Sequence, residues 1–333
     1  LFQPPETLLN QTITAVAGLE AGHYTDLEHA TGCTVFLCRE GGVGGVDVRG
    51  GSPGTRETDL LRPVHRVDQV HAVVLSGGSA YGLDAASGVV AYLESQRIGY
   101  KVGTIEKPVI VPIVSSAILY DLGLITSEVR PGPEEGRSAC LAASSSPMTE
   151  GTVGAGTGAT IAKLGGPERG LKGGIGSAAI TLATGQTVAA AVAVNAVGGI
   201  WDYANGQLLA GPRRADGGFD DPVALLLEGG SKAPAGPVNT TIGLVATDAE
   251  LTKEDANYLA RVSHDGLALA IRPCHTVRDG DTMFALSTGH SKSPVDMTTL
   301  GAAAVEVTSQ AILRAVQQAT GLGGIPSINE LSA

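Results

Sequence analysis

The chain has 333 residues, of which 43% are hydrophobic and 17% charged, and its formal net charge is −11. That length holds one large α/β domain or two ordinary ones around a sizeable core. The acidic balance argues against nucleic acid and anionic membrane surfaces as partners, because no basic stripe is available to neutralise phosphates.

In chain order, residues 11–20 and 31–38 read as strands, the second ending at a glycine run over 41–45. Residues 71–76 (HAVVLS) form a short buried strand, followed by Gly77-Gly78 and a helix of about 15 residues starting at Ser79. The stretch 115–122 is expected to be a helix or a helix start, and 123–150, rich in Pro, Glu and Ser, a surface excursion. A glycine-rich loop covers 151–158, and 176–195 alternates as a hairpin turning near Gly185. Residues 212–237 read as an exposed linker. Beyond it lie a strand at 240–247, a helix capped by Thr252 with Asp255 at its third position, a strand at 283–287 and a long helix over 297–319. Strands and helices mix without a strict βαβ rhythm, which favours a layered α+β sandwich over a doubly wound sheet.

Several familiar motifs fail on physical grounds. The run 50–54 matches G-x-S-x-G, but Pro53 has no N–H to give an oxyanion hole after the serine. The run 154–159 fits G-x-G-x-x-A, yet no strand precedes it and no acid follows about 20 residues on. Cys33, Cys38, Cys140 and Cys274 are irregularly spaced and read as buried thiols. Asp279-Gly280-Asp281 resembles a metal pair but has no partner spacing, so neither metal nor organic cofactor is expected. No stretch reaches the ~18 apolar residues of a membrane span, and the first residues lack a signal-peptide pattern, which makes the cytoplasm the expected compartment.

The chemistry concentrates at Asn239-Thr240-Thr241, on the seam between linker and strand. A threonine hydroxyl is a poor nucleophile without a base beside it. A free α-amine on the same residue, with a reference pKa of about 7.7–8.0, is such a base. Peptide cleavage before Thr240 would create it, through attack of the Thr240 hydroxyl on the Asn239 carbonyl and hydrolysis of the resulting ester.

Six motifs in order give this chain a family resemblance: LSGGSAYGL at 75–83, SSAILYD at 115–121, GAGTG at 154–158 with Lys163, VNAVG at 194–198, NTTI at 239–242 and DGDTMFA at 279–285. Together they resemble the autoproteolytic aminopeptidases, which include L-aminopeptidase/D-esterase, the β-peptidyl aminopeptidases and the nylon-oligomer (aminohexanoate-oligomer) hydrolases. The resemblance implies a single domain with a four-layer αββα sandwich of the N-terminal-nucleophile type. It implies cleavage into an α chain, 1–239, and a β chain, 240–333, assembled as a tetramer of such pairs. It also implies roles: Thr240 as nucleophile and its own base, Asn195 as donor to the oxyanion, and Lys163 as the group that positions and polarises the nucleophile. Asp281 with Asp279 would hold the Thr240 amine and hydroxyl in line, and Tyr120 would line the site. Family members with a serine nucleophile carry a Ser-x-Glu element; threonine with Asp-Gly-Asp is closer to the nylon-oligomer hydrolases.

The expected activity is hydrolysis of short peptides, β- or ω-amino acyl amides or aminohexanoate oligomers through an acyl-enzyme. Two alternatives stand beside it. One is an acyltransferase like the ornithine acetyltransferases, which would pass the acyl group to an amine; the other is a non-catalytic small-molecule binding protein.

Overall fold

The computed structural model describes residues 10–233, 236 and 239–331. Its strands and helices run β1 (Glu20–Asp26), β2 (Thr31–Val48), β3 (Thr55–Arg56), β4 (Val70–Ser76), α1 (Ala85–Ser95), β5 (Tyr100–Gly103), β6 (Pro108–Val111), β7 (Val114–Ile118) and α2 (Pro133–Leu141). They continue with β8 (Thr160–Ile161), β9 (Leu171–Lys172), β10 (Gly174–Thr181), β11 (Thr187–Asn195), β12 (Gly199–Asp202), β13 (Gln207–Ala210) and α3 (Pro222–Leu227). The last are β14 (Thr240–Ala249), α4 (Lys253–Ala270), β15 (Ile271–Arg272), β16 (Thr282–Ser291), α5 (Met297–Gln317) and α6 (Ile328–Leu331).

The 18-residue strand β2 organises the layers. Its first part pairs with β1 and β4, and β7 and β3 extend that leaf; its second part, from Val43, pairs with β16, and β14, β11 and β10 follow. The glycine run lies at the crossing between leaves: the register with β4 shifts between Leu37 and Gly42, and Gly41 has φ +79°. A side chain at Gly45 would meet the backbone of Ala256 at 2.4 Å, so glycine there lets α4 lie directly on β2. The run expected to end the strand instead carries it from one leaf to the other.

Alternation then builds the layers. On β11, Val188, Val192 and Val194 face α4 and α5, while Ala189, Ala191 and Ala193 face the other leaf, where they meet Phe36, Val73 and Leu75. Small residues on the inner face let the leaves approach closely. On the far side, Val35, Ala72 and Val74 pack under α1 and α2. The result is the four-layer αββα sandwich.

Four expectations need correction. Residues 11–20 are not a strand: a 3-10 turn occupies Ile13–Ala15, and the strand begins at Glu20. The stretch 115–122, expected to be a helix or a helix start, overlaps Val114–Ile118, a fully buried strand parallel to β4. The excursion at 123–150 contains α2, opened by Pro133 with Glu135 bonding back to the Gly132 N–H. The expected linker 212–237 contains α3, capped by Asp221; 234, 235 and 237 lie outside the described residues. The Thr252–Asp255 capping box forms as expected. No helix among the described residues is long and apolar enough to cross a membrane.

Candidate active site

Strands β11, β14 and β16 run side by side and bring three segments to one end of their leaf. Asn195 pairs with Thr240 across β11 and β14, Ile242 pairs with Thr282 across β14 and β16, and Asn239 bridges Asp279. Thr240 is only 4% exposed. Its hydroxyl donates to the carbonyl of Asn239 at 2.5 Å, and the same carbonyl accepts the Gly280 N–H at 3.0 Å.

The acids form the far wall. Asp281 accepts the Thr241 N–H on Oδ1 at 2.7 Å, and on Oδ2 the backbone N–H and the ring Nδ1–H of His275 at 2.9 and 2.8 Å. Asp279 accepts the Thr276 N–H at 2.8 Å. Behind them runs the segment dismissed as a nucleophile elbow. Arg49 N–H donates to the Asp281 carbonyl and Ser52 N–H to that of Asp279, at 3.0 and 2.9 Å. A side chain at Gly50 would meet the Asp279 carbonyl at 2.2 Å. The glycines serve close packing against the acid turn.

Lys163 enters from a loop held to the β11–β12 connection by Ala162 N–H on Gly198 O and Lys163 N–H on Val197 O, each 3.0 Å. Its Nζ donates to Asn195 Oδ1 at 2.9 Å, which also accepts the Thr160 N–H at 3.0 Å. Asn195 Nδ2 donates to the Tyr120 carbonyl at 3.0 Å. Tyr120, Asn195, Lys163 and Thr160 thus form one network beside Thr240. All six residues expected from the sequence fall in one region.

Burial sets the charges. It pushes Lys163 down to about 7, against the pull of Asp279. It pushes Asp279 up to about 6, helped by the charge of Asp281 and opposed by Thr276 and Lys163. The lysine and the acid therefore both titrate near neutrality. A cleft of about 430 Å³ opens beside this network, lined by Tyr120, Leu124, Thr160, Lys163, Pro167, Glu168 and Ile325 among others. No group of three or more His, Cys, Asp or Glu is placed to hold a metal ion among the described residues.

A family model described as peptidase family S58 matches residues 11–328. The chain belongs to peptidase family S58. It is accordingly a hydrolase of amide bonds. An uncharacterised aminopeptidase of Mycobacterium leprae is 41% identical over 346 residues, covering 95% of this chain and 92% of the relative. A 6-aminohexanoate-oligomer endohydrolase of Agromyces is 32% identical over 312 residues, covering 89% and 82%. Among solved structures, a Burkholderia β-aminopeptidase superposes with TM-score 0.68 at 22% identity, covering 98% of this chain and 92% of that one. The L-aminopeptidase D-Ala-esterase/amidase of Ochrobactrum anthropi, described as a variant of the Ntn hydrolase fold, gives 0.68 at 21% identity, covering 98% and 91%. The family resemblance carried by the six motifs holds, as does the fold it implied.

The same region also contains groups that sequence reasoning missed. His275 stands in the acid turn with no motif to mark it. Lys172, fully buried, donates to the carbonyls of Gly156, Ala159 and Gly173 at 3.2, 2.7 and 3.1 Å. Burial pushes it down to about 7, opposed by Asp121. Asp121 itself is pushed up to about 6 by burial, against donors from Gly78 and Thr31. The glycine-rich loop thus turns carbonyls inward to a lysine, and the N–H groups of Gly154 and Ala155 are taken by Thr25 and Thr34. A phosphate-binding loop would need those N–H groups free. Cys274 is only partly buried, unlike the other three cysteines, and all four are free thiols.

Proposed function

We propose that the protein cleaves itself between Asn239 and Thr240 and then hydrolyses short amides with Thr240 as an N-terminal nucleophile. The observation that carries this is the meeting of a buried hydroxyl with the carbonyl of the bond before it, that carbonyl being already polarised by the Gly280 N–H. In the first step Thr240 Oγ1 bonds to the Asn239 carbonyl carbon, and the electron pair moves to the oxygen that Gly280 holds. Collapse breaks the C–N bond, and the hydroxyl proton ends on the Thr240 amine. Water then opens the ester, leaving a carboxylate on Asn239 and a free amine on Thr240.

The freed amine serves as base for the second reaction. An incoming amide is attacked by Thr240 Oγ1, the amine product leaves with a proton, and water releases the acyl group. Lys163, which lines the cleft, bonds to Asn195 on one side of Thr240, and the Asp279–Asp281 turn lies on the other. Leu124, Pro167 and Ile325 give the cleft an apolar side, with Glu168 at its rim. That lining suits a slim ω- or β-amino acyl chain whose alkyl part lies on the apolar side and whose cationic amine meets Glu168. The Agromyces relative acts on aminohexanoate oligomers, an amide class of that shape.

We further propose a homo-oligomer of αβ pairs in the cytoplasm. Exposed Val102, Ile105, Val109 and Val111 on the β5–β6 hairpin supply apolar surface to bury, and the free thiols fit a reducing compartment.

Denaturing intact-mass spectrometry beside Thr240→Ala tests the nucleophile. Two fragments meeting at 239/240 in the wild type, an unbroken chain in the variant and loss of amide hydrolysis with it are the expected result. An uncleaved and active wild type would overturn it. Product analysis with an added amine acceptor separates hydrolysis from acyl transfer.

A further inference from the structure

Asp279 and Asp281 are both at most 2% exposed and stand two residues apart. Two buried carboxylates so placed repel, and burial together with the charge of Asp281 pushes Asp279 up to about 6. Asp281 also has a positional task, since its Oδ1 fixes the N–H of Thr241, the residue after the nucleophile, at 2.7 Å.

His275 is built to meet both demands. Its backbone N–H and its Nδ1–H converge on one oxygen, Asp281 Oδ2, at 2.9 and 2.8 Å. The residue adopts φ +54°, a left-handed conformation that a bulky side chain occupies only when its surroundings hold it there. Its ring meets that of His264 edge-on, centroids 4.8 Å apart. The groups facing this ring are Asp281, Cys274 and His264, with Asp47 and Arg49 behind His264 and Asp279 and Lys163 across the turn. Burial alone would disfavour a charge on His275, but the bonds and attraction from Asp281 and Cys274 outweigh it and lift the ring to about 10. His264 goes the other way: burial pushes it down to about 4, with His275 adding to the effect.

We infer that His275 is a positioning residue of the amide hydrolase, whose two N–H donors hold Asp281 Oδ2 so that Oδ1 stays aimed at Thr241. It acts through Asp281 and touches no reacting atom. The inference rests on the proposal that Thr240 is the nucleophile.

Two variants test it. His275→Asn keeps a residue tolerant of positive φ and removes the ring donor; His275→Gly keeps the backbone and leaves room for imidazole. Both are measured beside wild type for thermal midpoint, self-cleavage and the pH profile of hydrolysis of a short ω-amino acyl anilide. In His275→Asn the acid limb should move up by about one pH unit, with kcat down roughly tenfold and KM within about twofold. Millimolar imidazole should restore part of the rate and the limb in His275→Gly, and leave wild type unchanged. An acid limb that overlays wild type in both variants, with no response to imidazole, would overturn the inference whatever the thermal midpoints show. Failure of the Thr240 proposal is read separately, as hydrolysis that persists in Thr240→Ala.

Discussion

Gly280 donates its N–H to the Asn239 carbonyl at 3.0 Å, and a methyl group added at its α-carbon would lie 2.8 Å from Thr240 Oγ1. One residue thus polarises the bond proposed for cleavage and leaves room for the hydroxyl that attacks it. Gly280→Ala should displace that hydroxyl, or the Ser52 carbonyl 2.7 Å away on the other side. The precursor should still fold, and self-cleavage should slow by about 10²-fold, the effect of a small misplacement of a reacting group. A time course of chain cleavage on a denaturing gel checks this; cleavage at the wild-type rate would remove Gly280 from the mechanism.

Lys163 Nζ donates to the Asn195 side chain at 2.9 Å. Lys163→Met keeps length and apolar volume but removes that donor and the positive charge facing Asp279. Loss of a preorganised polar group at a buried site lowers kcat by roughly 10²–10³. Asp279, already pushed up to about 6, should move higher without the lysine, so the remaining activity should have its acid limb at higher pH. A pH profile with an unmoved limb would show that the two groups do not interact across the site.

Asn239 carries the next prediction. Its side-chain nitrogen and oxygen are buried with no hydrogen-bond partner among the described residues. A buried polar group left unpaired costs about 1–3 kcal/mol. Asn239→Leu, near in volume and apolar, should therefore stabilise the uncleaved chain by roughly that amount. Measured in a Thr240→Ala background, where cleavage is blocked, the urea midpoint should rise with an unchanged slope. If the same substitution in the Thr240 chain also slows cleavage, the orphaned amide raises the energy of the precursor and so speeds its processing. A lowered midpoint would mean that the amide is paired in solution.

The sequence carried the leaf built from β10, β11, β14 and β16 clearly, because each strand alternates between two buried faces of different size. The strand Val114–Ile118, of which all but the first residue fell in the stretch read as a helix or helix start, was missed for the opposite reason. Its residues are small or apolar on both faces, so no period of two survives, and only its place beside β4 makes it a strand. The side chains named for the site lie together, but two kinds of group left no trace in the sequence. The Gly280 N–H is a backbone donor, and backbone donors have no residue code. His275 and Lys172 owe their interest to burial and to partners distant in sequence or hidden in a turn, neither of which spacing reveals.

The buried lysines make stability depend on pH in a direction that can be worked out. Lys163 and Lys172 are both pushed down to about 7 in the folded chain, from an unfolded value near 10.4. Between about pH 7 and 8 the unfolded chain therefore binds more protons at both sites, and each contributes a rise in stability with pH of up to about 1.4 kcal/mol per unit. His275 acts in the opposite sense. Lifted to about 10, it holds its proton in the folded chain where the unfolded ring has lost it, so its contribution falls as pH rises. Below about pH 8, where the buried thiols of Cys33, Cys38 and Cys140 still hold their protons in both states, two rising groups against one falling group leave a net rise in the wild type. Lys172→Met removes one rising group and fills a similar volume, which by itself would level the profile. Asp121, deprived of its lysine and already pushed up to about 6, should turn the slope downward. Thermal midpoints across that window, read by circular dichroism, check the difference. A rise that persists in Lys172→Met would mean that Lys172 stays charged under the glycine-rich loop, and that the three carbonyls of Gly156, Ala159 and Gly173 solvate its ammonium as well as water does.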